Sequence, residues 1–140
     1  VPGKRPKKRF PPHSDWYTVP DNPSIHYVGW LMHRSDFQRG AGGFLSGYRY
    51  LIRNLMHHVR EEDHGIPYPH LKFTKQQALD YAVHRFQVAD DLVILQDGVV
   101  VRDAIVPMKD GTYHYYEGVT YKYIKEFEQK KAIIYLYFAR

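Results

Sequence analysis

Residues 42 to about 60 carry apolar side chains at helical spacing, and four glycines (Gly40, Gly42, Gly43 and Gly47) lie in or just ahead of that run. Phe44, Tyr48, Leu51, Leu55 and Val59 form one stripe, while Leu45, Ile52 and Met56 form a second, which predicts a helix packed on more than one side. Arg49, Arg53 and His57 follow at i, i+4 and i+8 on the remaining side. Glycine costs about 1 kcal/mol against alanine inside a helix, so helix stability alone does not explain a cluster at the mouth. Two explanations compete: tight packing of helix on sheet, or a ligand approaching bare backbone. The layout of strand, glycine, loop and glycine-opened helix turns unpaired N–H groups and the positive end of the helix dipole outward. Such an end binds phosphate, carboxylate or any group that acquires negative charge. The spacing GAGGFLSG does not follow the G-x-G-x-x-G dinucleotide fingerprint.

The flanking elements are read from the same rules. Residues 1 to 24 hold six of the nine prolines and the run GKRPKK, an extended or turn-rich approach. The stretch SIHYVGW, residues 24 to 30, reads as a short strand broken by Gly29. The stretch EEDHGIPYPH is the best domain boundary, dividing the chain into 1–64 and 65–140. Thr74 with Gln77 makes a capping box ahead of a second helix whose apolar face is Leu79, Ala82, Val83 and Phe86. DLVILQDGVVVRDAIV reads as two strands about an Asp97-Gly98 turn, and Asp110-Gly111 as another turn. A third helix is expected from Val119 to about Lys130, and residues 132 to 138, AIIYLYF, as a buried, central strand.

A chain of 140 residues with 44% hydrophobic content has room for one domain, or a small domain and part of another. The absence of cysteine removes disulfides, thiolate metal sites and cysteine catalysis. No apolar run reaches the roughly 18 residues of a membrane span, and no charged-then-apolar leader opens the sequence. A formal charge of +5 permits an anionic partner without requiring one.

The run IHYVGWLMHRSDFQRGAGGFLSGYRYLIRNL resembles the last segment of the FAD-binding domain in flavin-containing-monooxygenase-like, FAD-dependent oxidoreductases of the endoplasmic-reticulum flavoprotein type. The matching positions are Gly29, His33, Asp36, Phe37, Arg39, Ala41, Gly42, Gly43, Phe44, Gly47, Tyr48, Arg49 and Tyr50. The preceding KKRFPPHSDWYTVPDNPSIHY fits the family's approach to that strand, and LKFTKQQALDYAVHRFQVADDLVIL resembles the start of its C-terminal extension. The resemblance implies an α/β fold: the terminal strand, loop and helix of a Rossmann-like FAD-binding domain over residues 1–64, then a small α+β C-terminal extension over 65–140. It implies FAD as cofactor and NAD(P)H as co-substrate, with the helix amino end against the pyrimidine edge of the flavin, where preorganised N–H donors stabilise negative charge after hydride transfer. Ala41, Gly42, Gly43 and Phe44 would supply backbone contacts, with Gly29 and Trp30 lining the ring or ribityl side. Many two-dinucleotide flavoproteins carry Asp directly after the strand-end glycine; this chain has Trp30 there.

The family's two dinucleotide fingerprints lie upstream of the matched region. The chain is therefore expected to act as a C-terminal piece, a cleavage product or a separate subunit that needs an upstream FAD/NAD(P)-binding portion as partner. By resemblance its location would be the endoplasmic-reticulum lumen or outside the cell. His33 beside Asp36 is the candidate acid/base pair, with a loop-stabilising hydrogen bond as the plainer alternative. His57, His58, Glu61 and His64 offer metal-ligand types on a helix end, where a polar helix terminus serves equally well and no metal is assigned. The five Lys/Arg between residues 4 and 9 suit a nucleic-acid or anionic-surface arm, against which stands a solvated loop; nucleic acid is not the expected partner. Tyr113, Tyr115, Tyr116, Tyr121 and Tyr123 would stack bases or, more simply, pack a sheet. A non-catalytic binding module with a basic, aromatic surface is the alternative to the flavoprotein reading.

Overall fold

The computed structural model describes residues 9–34, 45–94, 101–120, 123–125 and 133–136. It is a mixed α/β arrangement with two antiparallel sheets. Strands β1 (Thr18–Val19) and β2 (Asn22–His26) form a short hairpin. A 3-10 helix spans Gly29–Arg34 and α1 spans Leu45–His64. Then come β3 (Leu71–Phe73), α2 (Lys75–Val88), α3 (Asp90–Ile94), β4 (Val101–Pro107), β5 (Tyr113–Thr120) and β6 (Ile134–Leu136). The last four strands form one sheet in the order β3-β5-β4-β6, and every neighbouring pair is antiparallel.

Side chains alternate across this sheet as the strand pleat requires. Ile105 and Tyr115 face Ala78 and Ala82 of α2, together with Leu136. Ala104, Val106, Tyr116 and Val119 face the opposite side, where Tyr68, Tyr123 and Ile124 cover them. A third cluster of Tyr17, Met32, Leu51, Leu55 and Val101 joins the N-terminal segment and the 3-10 helix to α1 and the start of β4. Of the tyrosines expected to pack the sheet, Tyr115, Tyr116 and Tyr123 are buried and Tyr113 is half-buried against the core, while Tyr121 lies outside the described residues.

Several expectations are corrected. The strand ends at His26, so Gly29 does not close a strand but opens the 3-10 helix with φ of +65°. A side chain at that angle is strained, which is the reason for glycine here. Of the two apolar stripes on α1, the one with Leu51 and Leu55 is buried; in the other, Ile52 is partly buried against the same cluster while Leu45 and Met56 are exposed. The helix continues through Glu61–His64, residues assigned to the boundary segment. Asp90–Ile94 is helical rather than a strand, with Asp90 and Asp91 in the first turn where the helix dipole favours negative charge. Strand β5 extends through Val119 and Thr120, so the third helix does not start at Val119; residues 123–125 are helical. Strand β6 is an edge of the described sheet, not a central strand, and Ile134 is exposed. The Asp97-Gly98 turn lies outside the described residues.

Helix α2 begins as its sequence dictates. Thr74 accepts a bond from the Gln77 backbone while the Gln77 side chain accepts from the Thr74 backbone, closing the capping box. Its expected apolar face is rotated, however. Ala78 and Ala82 meet the sheet, while Leu79, Val83 and Phe86 are 46%, 59% and 40% exposed. Small side chains let α2 approach the strands closely, which brings Arg85 within reach of the buried carboxylates of α3 and β4.

Candidate functional site

The 3-10 helix and the first turns of α1 form the first candidate region. Trp30 is 47% exposed, with its ring 5.5 Å from that of Phe10 and 5.4 Å from that of His33. His33 is buried, edge-on to Phe10 at 5.7 Å. That places the candidate acid/base residue in an aromatic cluster rather than in an open cleft. Leu45, Tyr48, Arg49 and Ile52 line a broad, open cavity of about 540 Å³ along the start of α1. The Arg49 guanidinium donates to the Tyr50 hydroxyl at 2.6 Å and lies 4.7 Å from the centre of that ring. Of the proposed cofactor contacts, Gly29 and Trp30 are thus placed; Ala41, Gly42, Gly43 and Phe44, and with them Asp36, lie outside the described residues.

The described part of this region presents exposed apolar side chains, as one wall of a flavin site would require. A Cβ built on Gly29 meets nothing within 4 Å, so its backbone is open to approach, and Trp30 and Leu45 offer apolar surface to a ring. An open wall of this kind needs other residues to enclose a ligand.

A second concave region lies along the middle of α1. Arg53 and His57 from α1, Tyr68, Pro69, His70 and Leu71 from the approach to β3, and Tyr115 and Glu117 from β5 enclose about 210 Å³. Burial, followed by the charges of Arg53 and Arg60, holds the His57 imidazole below its ordinary titration range, so it is neutral at pH 7. Burial and a hydrogen bond to Glu117 push the Tyr81 hydroxyl up to about 12, and its proton is donated to Glu117. Burial likewise raises Tyr68 and Tyr115.

Beneath this cleft is a polar network that sequence reasoning missed. Asp103 is fully buried where the β4–β5 register shifts, and it accepts from Arg85 Nε at 2.7 Å, Tyr115 Oη at 2.8 Å and the Gly118 amide at 2.7 Å. Arg85 also donates to Asp91 at 2.9 Å, and Arg53 lies 3.4 Å from the same carboxylate. Desolvation of Arg85 is outweighed by these acids, which hold its charge firmly in place. Asn54, also fully buried, donates to the carbonyls of Tyr50 at 2.9 Å and Gly118 at 2.6 Å, and accepts from Tyr68 Oη at 2.5 Å and the Thr120 amide at 3.1 Å. Because α1 is thus bonded into β5, buried polar contacts cross the expected boundary near residue 64. The available signals were an Asn beside Leu55 on a packed helix and a lone Asp in the apolar run VVVRDAIV.

The other constellations resolve into packing. His58 stacks on Trp16 at 3.7 Å and His57 tilts over Tyr68 at 5.1 Å. Glu61 accepts from the Tyr68 amide and from Tyr123 Oη. Among the described residues no three His, Asp or Glu side chains converge on a metal position, and no helix is long and apolar enough to cross a membrane. The basic run at residues 4–8 lies outside the described residues.

The chain is 26% identical over 120 residues to FAD-dependent oxidoreductase domain-containing protein 2 of Mus musculus, a match spanning 86% of this chain and 17% of that protein. It is also 26% identical over 98 residues to the protein of the same name from Danio rerio, spanning 63% of this chain and 14% of the relative. The chain therefore spans about one sixth of the length of the curated relatives it matches. No family model matches it, and no solved structure does. The similarity is to FAD-dependent oxidoreductases.

Proposed function

We propose that this chain is the C-terminal part of an FAD-dependent, NAD(P)H-using, monooxygenase-like oxidoreductase, in which it closes one side of the flavin site. The observation that carries this reading is the similarity over 86% of the chain to a protein named for an FAD-dependent oxidoreductase domain, of which the match spans only 17%. Residues 1–64 are read as the end of the FAD-binding domain and 65–140 as its extension, completed by an upstream FAD/NAD(P)-binding portion. Bound flavin would supply hydride and electron transfer. The chain's own part is to bind and orient. The backbone at Ala41, Gly42, Gly43 and Phe44 would place amide donors and the positive helix end toward developing negative charge. Gly29 would permit close approach and Trp30 would give the ring an apolar neighbour. His33, packed between Phe10 and Trp30, would fix the Trp30 surface; a proton-transfer role with Asp36 is the further proposal for that pair.

The test is to purify the longest native polypeptide that carries these residues and record its absorbance spectrum and intact mass. An oxidised-flavin spectrum lost on Gly43→Trp substitution is the expected result. Undiminished flavin in that variant would remove the assigned contact. A colourless protein that binds polyanions in a salt-sensitive way would replace the reading with the non-catalytic binding module.

A further inference from the structure

Arg53 and His57 stand one turn apart on α1, on a polar face that the flavin reading leaves unused, and both line the 210 Å³ cleft closed by β3 and β5. From that placement we infer a second binding site: the cleft takes a small zwitterion with an apolar body, of the class of a free α-amino acid bearing an aromatic or branched side chain.

Four features lead to this class. The volume lies below the roughly 300–1,000 Å³ of pockets for drug-sized ligands, which limits the occupant to a small molecule. The lining carries one fixed cation, Arg53, and one carboxylate, Glu117, on opposing elements, so a ligand with one charge of each sign is matched better than a simple anion or cation. Pro69 and the exposed Leu71 give the remaining wall an apolar character suited to a hydrocarbon or aromatic body, with the buried rings of Tyr68 and Tyr115 behind them. Finally, the polar groups have capacity to spare. Arg53 commits one nitrogen to Asp91, at 3.4 Å, and its guanidinium lies 5.4 Å from the centre of the Tyr50 ring; its other N–H donors suit a carboxylate. Glu117 receives the Tyr81 hydroxyl on one oxygen, leaving the other for an ammonium donor. His70 bonds the Tyr68 carbonyl through Nδ1 at 3.0 Å, and its ring lines the same wall. The neutral His57 ring adds a donor or acceptor according to its tautomer.

The site is separate from the mouth of α1 and does not depend on flavin. Binding of L-phenylalanine to the full chain is measured by isothermal titration calorimetry, beside 3-phenylpropionate, which lacks the amine, and phenethylamine, which lacks the carboxylate. Saturable binding of phenylalanine, at least about tenfold tighter than either analogue, is expected from the loss of one charge-assisted contact each. Glu117→Gln keeps an acceptor for Tyr81 but removes the charge. It should bring phenylalanine down to the affinity of 3-phenylpropionate and leave the latter unchanged. No saturable binding, or equal affinity for all three compounds, overturns the inference. Should the variant not fold, the three-compound comparison on the unaltered chain decides alone.

Discussion

Substituting Asn54 by leucine isolates the polar tie between α1 and the sheet. Leucine has the same branching, so shape is nearly kept while four hydrogen bonds vanish. The Tyr50 carbonyl keeps its helical partner, but the Gly118 carbonyl, the Thr120 amide and the Tyr68 hydroxyl are left without the bonds they make to Asn54. Each of the three buried orphans costs about 1–3 kcal/mol, and the added apolar burial returns about 1–2 kcal/mol, so the net loss lies between about 1 and about 8 kcal/mol, with a centre of about 4. Against a typical stability of about 5–15 kcal/mol that is large. Urea denaturation followed by circular dichroism measures it as a lower midpoint with an unchanged slope. Asn54→Asp sharpens the test. That carboxylate would face the Tyr50 and Gly118 carbonyls, so its folded pKa is raised above the unfolded value near 3.9. The penalty is then full at neutral pH and is relieved as pH falls through the raised folded pKa, where the proton supplies one missing donor. A loss below about 1 kcal/mol for Asn54→Leu, or no relief on acidification of Asn54→Asp, would refute the role assigned to this side chain.

Three further changes test neighbouring parts. Gly118→Ala places a Cβ against the Asp91 carboxylate and 2.8 Å from Arg53, at φ of +51°, and is expected to cost about 3 kcal/mol or more in the same urea assay. Thr120→Val removes a buried hydroxyl for which the described residues offer no hydrogen-bond partner and should raise stability by about 1 kcal/mol; a loss of that size would mean the hydroxyl is satisfied. His58, stacked on Trp16, is held below its ordinary 6.5 chiefly by burial, which outweighs the upward pull of Glu62, Glu61 and Asp63. In Trp30→Phe, Trp16 fluorescence should therefore fall on acidification with a midpoint below 6.5, where an imidazolium begins to quench the ring; stability contributed by the neutral imidazole is lost over the same window, from 6.5 down through the folded pKa. A midpoint above 6.5 would show that the acidic neighbours win.

What the sequence made legible follows from the range over which each rule acts. The Thr74–Gln77 cap closes within three residues, and the Asp110-Gly111 turn is fixed by Gly111 at φ of +81° with the Met108 amide donating to the Thr112 carbonyl; local chemistry determines both. Periodicity located α1 and α2 but not their packed sides, because which stripe is buried depends on what lies opposite. On α2 the choice fell to Ala78 and Ala82, since only small residues bring Arg85 to Asp91 and Asp103. The run Asp90–Ile94 reads as the start of a strand by composition, yet a helical turn there sets Asp91 between Arg85 and Arg53. Contacts such as Asn54 to Thr120 join residues 66 apart, and no local pattern announces them. The candidate sites divide on the same line. The glycine-led mouth of α1 is a continuous motif and could be assigned by resemblance, whereas the cleft of Arg53, His57, Tyr68 and Glu117 draws on three segments and exists only once β5 is paired with β3. A polar Asn within a packed helix stripe and a lone Asp within an apolar strand are therefore the sequence signals to follow in chains like this one, since each marks a place where distant backbone must come to satisfy a buried group.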